Sequence, residues 1–132
     1  MTRFVDTNIL ARLMTNDVIA LSEKAASLVN GYGSRELVVL DAVIVELFFV
    51  LENNQLYKFS HTLIVELFET IIVPTPQFDI SNAAQAALPL YSANPKLDFM
   101  DCLLSVSAEY QKQNILTFDN GLLKVLSQQP AT

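Results

Sequence analysis

Two hydrophobic periods alternate along this chain. Short apolar runs, "RFVD", "LVVL" and "NILTF", each lead into a longer stretch whose apolar residues recur three and four apart. The short runs read as buried strands and the longer stretches as helices. The first strand feeds a helix, "TNILARLM", and "SEKAASLV" makes a second helix opened by Ser22. "GYGSRE" is a turn, and the second strand ends at Asp41, a good N-cap for the helix that follows. "NNQLYKF" breaks that helix. Ser60 caps the next, which runs toward "IIV" and is stopped by Pro74 and Pro76. A further helix starts at about Ser81 and is bent or ended at Pro89, and "NPK" is a turn. Asp98 opens a helix reaching about Gln113, the "NILTF" strand follows, and Asp119 starts a last helix. Apolar strands alternating with helices predict an α/β fold with a parallel sheet covered on both faces. In such folds ligands bind beyond the carboxyl ends of the strands.

The pentapeptide "IVELF" occurs at Ile44–Phe48 and again at Ile64–Phe68. It does not extend into a structural repeat. The residues three and four away from Glu66 are Thr62, Leu63, Glu69 and Thr70, so Glu66 belongs to a solvated stripe. Those around Glu46 are Ala42, Val43, Phe49 and Val50, all apolar. Glu46 therefore reads as a carboxylate within an apolar, buried surface. Such a group must be paired, protonated or bound to a metal. A bond to a nearby Arg or to backbone amides is the structural alternative.

Composition narrows this picture. The 132 residues fit one domain, taken as 1–132. A hydrophobic content of 52% is high for a small domain, and no apolar run has the ~20 residues needed to span a bilayer. The excess points to a buried subunit interface, as in a homodimer. "MTRFVDTN" carries no signal-peptide pattern and Cys102 is the only cysteine, so a cytoplasmic protein is expected. The net charge of −6 argues against a generic nucleic-acid surface unless the acids gather around a cation.

Acids do fall at strand ends and helix starts. Asp6 ends the first strand, Asp119 follows the last, Asp98 and Asp101 lie one turn apart, and Glu46 lies one turn into its helix. Capping explains Asp6, Asp98 and Asp119 one at a time, and Asp101 could favour the helix dipole. It does not explain Glu46. Carboxylates converging without basic partners repel one another, and a divalent cation relieves this; all-oxygen ligands suit Mg²⁺ or Mn²⁺.

"FVDTNIL", Glu46, "LDFMDCLLSVSA" and "ILTFDNGLLK" resemble, in order and spacing, the signature blocks of PIN-domain ribonucleases, most closely the VapC-type toxins of toxin–antitoxin systems. The resemblance covers essentially the whole chain. It implies a three-layer α/β/α fold around a central parallel sheet of four to five strands. It also implies an acidic pocket binding Mg²⁺ or Mn²⁺ that hydrolyses RNA phosphodiester bonds. By position, Asp6, Glu46, Asp101 and Asp119 match the catalytic and metal-binding acids. Asp98 matches a further acid one turn before the third of these. Asn8 and Thr117 match polar residues that brace the carboxylates. Arg12, one to two turns after Asp6, could reach substrate phosphate. His61, after Ser60 at a helix start, reads as a surface residue, and Cys102 as core. The resemblance implies an RNA substrate and, for a toxin, a cognate antitoxin; the homodimer and the lack of membrane association are expected from the apolar content and run lengths above.

Two other classes remain open. An Asp- and Mg²⁺-dependent phosphatase would need D-x-D after the first strand, where this chain has "DTN", and a receiver-like domain would need an early acidic pair and a central phosphoacceptor. A non-catalytic PIN-like interaction module would need no acids, and here they are present.

Overall fold

A computed structural model describes residues 2–111 and 115–127. The chain forms β1 (Arg3–Phe4), α1 (Thr7–Thr15), α2 (Ile19–Asn30), β2 (Leu37–Val39) and α3 (Asp41–Asn53). There follow α4 (His61–Leu67), extended by a π-helical turn over Phe68–Ile72, then β3 (Phe78–Ile80), α5 (Asn82–Ala93), α6 (Phe99–Gln111) and α7 (Asn120–Ser127). The strands make a parallel sheet in the order β1-β2-β3, with Phe4 beside Val38 and Val38 beside Asp79. The α/β class and the parallel pairing match the expectation from apolar runs.

The strand count does not. Three strands, not four or five, are present among the described residues. Ile115–Phe118 carries no strand, and Leu116 and Phe118 stand fully exposed. An apolar run supplies propensity, but a strand exists only through a neighbour's backbone. β1 is two residues long and pairs only with β2 among the described residues. Gln113 and Asn114, the expected end of one element and start of the next, lie outside those residues. In exchange, β3 appears where no strand was expected. Its three residues are too few to show a period, and it is held by parallel pairing to β2.

Other boundaries moved for local reasons. α2 starts at Ile19 and takes Ser22 inside it, buried, with its hydroxyl donating to the Arg12 carbonyl at 2.8 Å. Asp41 is the first residue of α3 rather than its cap, and its Oδ1 accepts from Ser81 Oγ at 2.6 Å. Ser60 does cap α4, accepting from the Leu63 amide. Pro89 sits inside α5 without ending it.

The core is centred on α3. Ile44, Leu47, Phe48 and Leu51 are fully buried on one face, following the three-and-four spacing. Burying each such side chain contributes roughly 1.5–3 kcal/mol. Phe48 packs its ring against Phe68 (5.3 Å between centroids), Tyr91 (5.1 Å) and Phe99 (4.6 Å), joining α3 to the π turn, α5 and α6. Truncating Phe48 to alanine would cost roughly 3–5 kcal/mol. This packing fixes how α3 is rotated, and with it where Glu46 points.

Candidate functional site

β1 delivers Asp6 to the N-cap position of α1 with extended backbone (φ −84°, ψ 152°). Its side chain makes no capping bond, so this exposed carboxylate is not consumed by the helix. Thr7, the next residue, is buried, and its hydroxyl donates to Glu46 Oε2 at 3.0 Å. The packing of α1 on α3 thus places Glu46 against the residue that follows Asp6.

Glu46 is not buried, contrary to the expectation from its apolar neighbours. α3 is apolar nearly all the way round, and its inward face is Ile44–Leu47–Phe48–Leu51. Glu46, Ala42 and Phe49 lie on the outward side. The four apolar neighbours surround the carboxylate, but on an exposed or half-buried surface. Glu66, with Thr62, Glu69 and Thr70, is exposed as expected.

The other acids gather where α6 and α7 begin. The Asp101 amide donates to Asp98 Oδ1 at 2.8 Å, so Asp98 caps α6. The Leu122 amide donates to Asp119 Oδ1 at 3.0 Å, so Asp119 caps α7. Thr117 Oγ1 accepts from the Asp119 amide at 3.0 Å, which turns the chain into that helix. Each cap engages one carboxylate oxygen. Asp101 is half-buried, and burial, then the charges of Asp98 and Asp119, raise its carboxyl above the ordinary aspartate range. Two neighbouring carboxylates, Asp98 and Asp119, therefore act on Asp101 here. Next to them Cys102 is fully buried, and burial with the Asp101 charge pushes its thiol up to about 12. It is a core residue and not a nucleophile.

Among the described residues no group of three or more His, Cys, Asp or Glu side chains is close enough to hold one metal ion. The acids form two sets, Asp6 with Glu46 through Thr7, and Asp98 with Asp101 and Asp119. The donor chemistry nonetheless fits a hard divalent cation: all are carboxylates, and the charges of Asp98 and Asp119 oppose ionisation of Asp101. Asn8 is exposed in the first turn of α1. Arg12 lies in the last turn of that helix, with Nη1 3.4 Å from Asp17. Two contributors went unread in the sequence. Thr7 could have been found as the one buried polar residue of "DTN". Gly121 gave no signal: a Cβ there would lie 3.2 Å from Asp119 Oδ1, so glycine leaves that carboxylate room.

His61 corrects a second expectation. It is 8% exposed, its Nδ1 donates to the Tyr91 carbonyl at 2.9 Å, and its Nε2 faces the Glu52 carboxylate. Its ring stacks on Tyr91 at 3.8 Å between centroids. A residue at a helix start is exposed only if nothing packs over that end, and here α5 does. The Tyr91 hydroxyl is enclosed, and burial, then the Glu52 carboxylate beside it, raise its ionisation far above the ordinary phenol range.

The PIN domain family model matches residues 3–126. No curated protein and no solved structure matches the chain. No described helix is long and apolar enough to cross a membrane.

Proposed function

The chain belongs to the PIN domain family, whose members are typically metal-dependent nucleases, and from that premise we propose that it is a Mg²⁺- or Mn²⁺-dependent ribonuclease, the toxin of a toxin–antitoxin pair. The observation that carries the reading is the gathering of Asp98, Asp101 and Asp119 at the starts of two helices, where burial and the charges of Asp98 and Asp119 raise the Asp101 carboxyl. The proposed cation ligands are Asp6 and Glu46 in one set and Asp98, Asp101 and Asp119 in the other, although no three of them stand close enough in this structure to hold one ion. A bound cation would supply positive charge that offsets the phosphate's and a site to orient water. The chain's own groups do the rest. Thr7 holds Glu46, the Asp101 amide holds Asp98, and Thr117 with the Leu122 amide holds Asp119, so these carboxylates meet the substrate already positioned. One carboxylate accepts the proton of the attacking water. Asn8 adds a polar group beside Asp6, and Arg12 can meet substrate phosphate on release from Asp17.

The assembly proposed is a cytoplasmic homodimer. Leu21 and Leu28, seven apart on α2, and Ile19 are exposed apolar side chains that support it. A basic antitoxin segment would complement the net charge of −6. The spread of the acids into two sets favours, as a second reading, a non-catalytic PIN-like binding module.

One experiment separates the two readings. Purified protein is incubated with a labelled single-stranded RNA in Mn²⁺ and in excess EDTA, while calorimetry follows Mn²⁺ binding. Cleavage only with Mn²⁺, and saturable binding, are expected. Undiminished cleavage in EDTA overturns metal dependence. Neither cleavage nor binding leaves the module reading.

A further inference from the structure

A cleft of about 510 Å³ lies beside the acidic site and shares one residue with it, Asp98. Its volume is within the ~300–1,000 Å³ of small-molecule sites. It is lined by the second half of α3, the start of α4 and the loop before α6, through Phe49, Glu52, Phe59, His61, Lys96 and Asp98. The geometry points to a pocket for one unstacked base of the RNA. The inference takes the nuclease reading as its starting point and names a part of the substrate that the acids do not touch.

Three features carry it. The first is Phe49, which is 61% exposed although it sits on a helix that buries four large side chains. No ring contact engages it among the described residues, and an exposed aromatic face is what an unpaired base stacks on. The second is the pocket's polar floor. His61 is 8% exposed and held from both ring nitrogens, by the Tyr91 carbonyl and by Glu52. Glu52, which lines the cleft, carries carboxylate oxygens, which only accept hydrogen bonds, so it favours a base edge carrying an exocyclic amino group. The third is Lys96, which makes no ion pair among the described residues and can meet the phosphate of the same nucleotide.

Position ties the cleft to the acids. Phe49 lies one turn beyond Glu46 on the same outward face of α3. Asp98 lines the cleft and also caps α6 beside Asp101. A strand whose scissile phosphate lies at the acids therefore passes its neighbouring base over Phe49. Adenine, cytosine and guanine carry the required amino group; uracil does not.

The test uses adenosine, cytidine and uridine 5′-monophosphates as probes, titrated into ¹⁵N-labelled full-length protein in EDTA, so that binding does not depend on the cation. The adenosine and cytidine nucleotides should shift the amides of Phe49, Lys96 and Leu97, and bind more tightly than the uridine nucleotide. Phe49→Ala and Lys96→Gln should each weaken binding about tenfold, and Phe49→Tyr should retain it. Both side chains face solvent, and circular dichroism checks that the variants fold. Absence of shifts at these amides up to millimolar nucleotide, or wild-type affinity in Phe49→Ala, overturns the pocket. RNA cleavage fails independently: nucleotide binding without cleavage keeps the pocket and removes the nuclease reading, whereas cleavage unchanged by Phe49→Ala keeps the nuclease and removes the pocket.

Discussion

The two acidic sets are built on different physics. At the joint of α1 and α3, Glu46 receives a hydroxyl from buried Thr7, and Asp6 is left unengaged by the helix it precedes. At the starts of α6 and α7, Asp98 and Asp119 are engaged by backbone amides, while Asp101 between them is opposed by both charges. The first set is positioned by a neutral donor. The second is positioned by capping and strained by like charge. Capping and ligation are thus not exclusive alternatives, because a carboxylate engaged at one oxygen keeps the other. The same contrast identifies where a cation would relieve the most repulsion.

The largest effects should come from deleting charge at the second set. Asp101→Asn and Asp119→Asn, and with them Asp6→Asn, are expected to lower Mn²⁺-dependent cleavage by at least about a hundredfold, roughly 2.7 kcal/mol of transition-state stabilisation. Initial rates on a fluorogenic RNA would measure this. Loss at Asp101 and Asp119 with full activity in Asp6→Asn would confine the chemistry to one set.

Stability should move in the opposite direction. The folded state holds the Asp101 proton more tightly than the unfolded chain does, since its carboxyl is raised. Folding stability therefore falls as pH climbs from the ordinary carboxylate value through the raised one. In EDTA, Asp101→Asn should melt above wild type at neutral pH and lose that advantage near pH ~3, where both states of wild type are protonated. A variant that melts lower at neutral pH would show that the carboxylate is structural. Saturating Mn²⁺ should raise the wild-type midpoint, by about 2.7 kcal/mol of stability at a hundredfold excess over Kd, and raise that of Asp101→Asn less.

Thr7→Val sharpens the description of the first set. It keeps the shape and removes the Thr7 hydroxyl that donates to Glu46. A bond to a charged group is worth ~1.5–3 kcal/mol net when sheltered; with Glu46 exposed, about 1 kcal/mol is expected, together with a roughly tenfold fall in cleavage. Thr7→Ser should restore both. Denaturant midpoints and cleavage rates for the two variants decide whether the contact positions Glu46.

The smallest effect is expected at the second copy of the repeated pentapeptide, read against the first copy as its control. Glu46→Gln should abolish most cleavage and leave metal-free stability intact. Glu66→Gln should change stability by no more than ~0.5 kcal/mol and leave activity unchanged. Matching losses from both substitutions would remove Glu46 from the site.

Local chemistry already contained much of this protein. The alternation of apolar runs with amphipathic stretches specifies an α/β chain, because side-chain period and backbone geometry are the same constraint. Ser60 and Asp98 are legible as caps, because a short polar side chain satisfies amides three residues away without help from the rest of the fold. Other features depended on what came to lie alongside. β3 exists because β2 offers it a backbone, and Ile115–Phe118, equally apolar, has no such partner among the described residues. His61 is buried because α5 packs over the start of α4. Glu46 shows the limit most clearly. On a helix apolar around most of its circumference, only packing against Phe68, Tyr91 and Phe99 selects the inward face. That selection turned Glu46 and Phe49 toward solvent, because hydrophobic burial is non-directional and the neighbouring elements choose the direction.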